Sequence, residues 1–108
     1  MKLPATTVIA SEKIQNYLLA TKVRNDKSKW LAEAGYYHGN WQTLENDLRQ
    51  QILTLDAVLT ETNQYGHMYE IIGELTGPNG KTLSIRSYWM NEVDTHVFKF
   101  ITMFPNKM

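Results

Sequence analysis

The sequence predicts an α+β domain in which about three N-terminal helices cover one face of a four-stranded antiparallel sheet. Up to about residue 56 apolar residues recur at helical spacing; beyond it come short runs rich in β-branched and aromatic residues, separated by Gly, Pro and Asn. The chain has 108 residues, 43% of them hydrophobic and 20% charged, which suits one domain with one core. A single domain over residues 1–108 is expected, with its core at about residues 10–105.

Ser11 can cap a first helix running to Ala20, in which Ile14, Tyr17 and Leu18 share a face and should be core. Asn25 or Asp26 can cap a second, short helix carrying Trp30, Leu31 and Ala34, which Gly35 stops in the left-handed conformation. Asn40 begins a third, about residues 41–54, on the repeat of Trp41, Leu44, Leu48, Ile52 and Leu55. Strands follow at about Ala57 to Thr62, His67 to Leu75, Thr82 to Met90 and His96 to Phe104. Gly77-Pro78-Asn79-Gly80 reads as the turn of a hairpin, and Pro105 ends the last strand because it has no N–H for a ladder. The first ten and last three residues are expected to be mobile.

Composition excludes several classes. With no cysteine there is no disulfide framework, thiol nucleophile or thiolate zinc site. Met1-Lys2-Leu3-Pro4 lacks a secretory apolar stretch, and no apolar run approaches membrane-spanning length, so a soluble, cytoplasmic protein is expected. Eleven basic residues balance eleven acidic ones, which removes a global drive toward nucleic acid or anionic lipid. The exception is residues 22–29, where Lys22, Arg24, Lys27 and Lys29 stand against Asp26 alone. His38, His67 and His96 are too far apart in sequence for a metal motif, so neither a metal nor a cofactor is expected.

Alternation on the third strand sends Leu83, Ile85, Ser87 and Trp89 one way and Ser84, Arg86 and Tyr88 the other. A guanidinium beside Tyr88 can hold a phosphate bidentately, or pair with a carboxylate such as Glu70. His67, at the head of a strand after Tyr65-Gly66, is a candidate general acid or base near neutral pH. Strict alternation puts Phe98, Phe100, Thr102 and Phe104 on one face and Lys99 on the other, unless a bulge resets the phase. Glu45, Asp47, Glu92 and Asp94 read as solvated surface carboxylates.

The ordered set Tyr17-Leu18-Leu19, Lys29-Trp30, Ala34-Gly35-Tyr36, Trp41-Gln42-Thr43-Leu44, Tyr65-Gly66, Gly77-Pro78-Asn79-Gly80, Arg86-Ser87-Tyr88-Trp89 and Thr102-Met103-Phe104-Pro105 resembles an uncharacterised bacterial and cyanobacterial domain family. Its members occur free-standing or at the ends of larger proteins, some in toxin-like contexts. The closing Arg-x-x-Trp and Thr-x-Phe-Pro strands also resemble the barnase, EndoU, colicin and RelE-like ribonucleases. That resemblance implies metal-independent RNA cleavage, in which the ribose 2′-hydroxyl attacks its own phosphate. Arg86 and Thr102 match its motifs, and Lys29 matches a lysine of the second helix; His67 enters only through its own chemistry.

Two functions are therefore expected in competition. The first is a small toxin-like ribonuclease with Arg86, Thr102 and His67 in catalysis and Lys29, Tyr88 and Lys99 binding RNA. The alternative is a non-catalytic protein-binding module, or a partner in a toxin-antitoxin pair, using exposed aromatics such as Tyr36, Tyr37 and Tyr65.

Overall fold

A computed structural model describes residues 1–20 and 27–106. Lys22 and Arg24 of the basic cluster, and the caps Asn25 and Asp26, lie outside the described residues, as do Lys107 and Met108. Three short helical stretches precede a four-stranded antiparallel sheet, an α+β arrangement. They are α1 (Lys13–Leu18), α2 (Ser28–Ala32) and α3 (Trp41–Asp47), the last continuing over Leu48–Ile52.

Two of these stretches are wound more widely than an α-helix. In α1 the Leu19 N–H closes on the Ile14 carbonyl at 3.0 Å, and at the end of α3 the Leu53 N–H closes on Leu48 at 2.9 Å, both five residues back. The wide turn changes which side chains share a face. Ile14 and Leu18 are buried as anticipated, but Tyr17 is rotated out to partial exposure. In α3, Leu44, Leu48 and Ile52 are buried and Leu53 joins them, while Trp41 and Leu55 pack only partly against the core. Gly35, at φ +92°, stops the chain after α2, the conformation that glycine adopts without a Cβ penalty.

The strands β1 (Val58–Asn63), β2 (Gly66–Thr76), β3 (Thr82–Glu92) and β4 (Phe98–Pro105) pair in sequence order. Pro105 is the last residue of β4, paired with Ile85. From β2 and β3 the core takes Ile71, Leu75, Leu83, Ile85 and Trp89, one side of the pleat; the intervening Glu70, Ile72, Glu74, Ser84, Arg86 and Tyr88 keep solvent contact. Ser87 is the polar member of the buried side. Its hydroxyl donates to the Ile71 carbonyl at 2.9 Å and accepts the Trp89 indole N–H at 2.9 Å, so neither buried group is left unpaired.

Two expectations are corrected. The first ten residues are tied down: Leu3, Thr7 and Ile9 are buried, and Val8 bonds at 2.8 Å both to the Phe98 carbonyl and from the Phe100 N–H. At the other end of the sheet Met1 and Lys2 meet Ala57 and Asp56. Tyr36 is fully buried rather than an exposed anchor, because its hydroxyl finds partners inside, donating to Asp47 Oδ2 at 2.7 Å and reaching the Thr76 carbonyl at 3.3 Å. Burial, and then the hydrogen bond to Asp47, push this phenol well above its ordinary pKa.

The native state therefore keeps the Tyr36 proton at pH values where the unfolded chain releases it. This contribution to stability is complete below about pH 10 and declines as the pH rises above that value. Tyr36→Phe is expected to lower the unfolding free energy near neutral pH by about 1–3 kcal/mol, through the donor lost to Asp47. The variant should also show a shallower alkaline decline, both measured by denaturant titration across pH. The β2–β3 turn supplies a second test. Asn79 donates from its side chain to the Glu33 carbonyl at 3.0 Å, and a Cβ at Gly77 would run into the backbone oxygen of Ala34. Gly77→Ala should cost about 3 kcal/mol through overpacking. Gly80→Ala, at φ +88° but in open space, should cost about 1 kcal/mol in the same thermal-unfolding series.

Candidate site on the exposed sheet face

The pairing of β3 with β4 slips between Tyr88 and Trp89: Trp89 faces Phe100, but Tyr88 faces Thr102. Ile101 is the extra residue, a β-bulge that reverses the side-chain phase of the rest of the strand. The strict alternation of Phe98, Phe100, Thr102 and Phe104 is thus corrected. Phe100 stays buried against Trp89, with ring centroids 5.1 Å apart, and Met103 takes the next buried position. Thr102 and Phe104 pass to the other face, beside Tyr88 and Arg86.

Two adjacent rows of side chains result, running across β2, β3 and β4: Glu70, Tyr88, Thr102 and, next to it, Ile72, Arg86, Phe104. Tyr88 donates its hydroxyl to Glu70 Oε2 at 2.8 Å, and Arg86 Nε lies 3.6 Å from the same oxygen. Desolvation first, then the bond to Glu70, raise the Tyr88 pKa against the opposing effect of Arg86, so the phenol stays a donor. Arg86 Nη2 donates to Asn106 Oδ1 at 3.2 Å. Its Nε is buried and, beyond the 3.6 Å ion pair with Glu70, makes no hydrogen bond among the described residues.

Tyr17 and Lys27 complete the group at β4. The Tyr17 hydroxyl lies 2.9 Å from Thr102 Oγ1 and accepts from Lys27 Nζ at 3.0 Å. The Lys27 ammonium also sits 4.8 Å from the Tyr17 ring centroid and 4.7 Å from that of Phe104, near enough for cation–π attraction to both. The Thr102 bond, followed by the Lys27 bond and the charges of Lys27 and Lys13, lowers the Tyr17 pKa against the effect of burial.

The structure thus joins Arg86, Tyr88 and Thr102 on one face, with Lys99 farther along it, and separates His67 and Lys29 from them. His67 pairs with Asn91, five positions along β2 from the partner of Arg86, or about 17 Å, and on the opposite side of the pleat. Exposed there, its Nδ1 is 2.9 Å from Thr62 Oγ1. Lys29 lies on α2 and lines a cavity of about 260 Å³ with Ser28, Tyr37 and His38. Lys99 shares the face of Tyr88 but is held at 3.0 Å by Glu92. Sequence reasoning missed Tyr17 and Lys27 as site members and treated Glu70 only as an ion-pair partner. Alternation could have found Glu70, but nothing local signals that Tyr17 sits at the margin of the core with its hydroxyl on β4.

Among the described residues no three His, Asp or Glu side chains gather as a metal site, and no helix is long and apolar enough to cross a membrane. No curated protein and no solved structure matches the chain. One family does: residues 2–107 match the domain of unknown function DUF6883. The chain accordingly belongs to the DUF6883 family.

Proposed function

We propose that this domain is a toxin-like ribonuclease acting in the cytoplasm, which binds RNA on the exposed sheet face and cleaves it without a metal. The observation that carries the reading is the convergence of Arg86, Thr102 and Glu70 on adjacent rows of one sheet face, with the Arg86 side chain 42% exposed there. Arg86 and the Thr102 hydroxyl hold the phosphate and stabilise the charge that builds on it. The Glu70 carboxylate takes the proton of the ribose 2′-hydroxyl as that oxygen bonds to phosphorus. The bond from phosphorus to the 5′-oxygen breaks, and this oxygen takes a proton from Tyr17, next to Thr102. The products are a 2′,3′-cyclic phosphate and a free 5′-hydroxyl. A cognate antitoxin is the partner that such a toxin requires.

A second reading has its own observation. Tyr65 and Val93 are 65% and 52% exposed and adjoin through the bond from the Val93 N–H to the Tyr65 carbonyl, away from Arg86. A patch of this kind suits a protein-binding module.

The test is cleavage of labelled RNA in EDTA, with analysis of the ends formed. Wild type should give cyclic phosphate ends; Arg86→Ala should lose about 100- to 1,000-fold in rate and Glu70→Gln about 100-fold, each with a native circular dichroism spectrum. In a bacterial host, induced wild type should arrest growth and Arg86→Ala, at the same soluble level, should not. Normal growth and intact RNA with folded wild type would overturn the reading in favour of the binding module.

A further inference from the structure

The two rows of the exposed face differ in chemistry. Glu70, Tyr88 and Thr102 are polar, whereas in the neighbouring row Arg86 stands between Ile72 and Phe104, which are 46% and 43% exposed. A phenylalanine ring nearly half open to solvent beside a guanidinium offers the pairing of flat apolar and cationic surface on which a nucleic-acid base and its phosphate can settle.

The ring is also held and polarised. Tyr88 meets Phe104 edge-on, at an interplanar angle of 66° with centroids 6.0 Å apart. Lys27, only 8% exposed, presses its ammonium against the same ring, and among the described residues no carboxylate pairs with it. A cation against an aromatic ring draws π density toward itself. The surface left to solvent becomes a better stacking partner for an electron-rich ring of large area, which among nucleobases means a purine.

We propose that Phe104 is a stacking platform for an unpaired purine of single-stranded RNA, the adjoining phosphate being held by Arg86. The proposal rests on the RNA-binding part of the reading above and not on the cleavage step. Neighbouring strands lie about 5 Å apart, which places ring and guanidinium within the span of one nucleotide. A base in a duplex has both faces covered by its neighbours and cannot reach the ring, so the platform selects single strands.

The experiment measures fluorescence anisotropy with labelled 2′-O-methyl oligoadenylate and oligouridylate, which lack the nucleophile, and with a blunt duplex of the same length. Wild type should bind oligoadenylate more tightly than oligouridylate, and the duplex most weakly. Phe104→Leu should weaken oligoadenylate binding about 10-fold, as loss of one stacked base does, whereas Phe104→Trp should keep it. Lys27→Met, which retains the apolar stem, should narrow the preference for adenine. Arg86→Ala should weaken both single strands and reduce the salt dependence by about one phosphate contact. Unchanged affinity in a folded Phe104→Leu variant, or duplex bound as tightly as single strand, overturns the platform. Binding through Phe104 without cleavage of unmodified RNA overturns the ribonuclease step and leaves the platform standing. Cleavage by wild type with a silent Phe104→Leu overturns the platform alone, and no binding to any of the three probes overturns both.

Discussion

A single extra residue in the last strand decides what the exposed face contains. β4 has to bury Phe100 against Trp89 and also bury Met103, an odd number of positions later, which a regular strand cannot do. The bulge at Ile101 resolves the conflict, and Thr102 and Phe104 arrive beside Tyr88 and Arg86 as a consequence. Core and site are therefore coupled through backbone register: any change that straightened β4 would expose Met103 and remove Thr102 and Phe104 from the face in the same step.

The charged contacts around that face hold side chains in place more than they hold the fold together. The Arg86 side chain is 42% exposed, and its 3.6 Å approach to Glu70 is the kind of partly solvated pair that contributes well under about 1 kcal/mol. What the contacts do is fix geometry. Glu70 is held from two sides by Tyr88 and Arg86, and Arg86 is held in turn by Asn106. Stability comes from the other side of the sheet, where Trp89 is fully buried and even its indole N–H is satisfied through Ser87.

Much of this was legible in the sequence because it depends on period and on turn chemistry. The strands of the meander, the Gly77 to Gly80 turn and the opposite facing of Arg86 and Trp89 follow from alternation and from what Gly, Pro and Asn permit. The rest depends on a count being off by one. The wide turn in α1 moves Tyr17 to the margin of the core, and the bulge in β4 moves Thr102 across the sheet; together they create the contact between these two residues, 85 positions apart. Neither irregularity has a local signature, since Ile101 is as good a strand residue as its neighbours. Lys27 was hidden for another reason: in a run of surface cations, only the tertiary fold shows which one is enclosed by two aromatic rings.

The first nine residues do something the meander cannot do for itself. An open four-stranded sheet leaves two edges; here one short segment meets the chain at Asp56 and Ala57, just before β1, and then runs along the outer edge of β4 at Phe98 to Phe100. These contacts join the first residues of the described chain to nearly its last, so the slowest loops to close are the ones that cover the final strand. During synthesis and folding, β4 becomes available as soon as it pairs with β3, but its outer edge stays open until residue 8 docks. The interval before docking is when one molecule is most able to recruit another through that edge, and loss of Val8 itself would leave the edge uncovered.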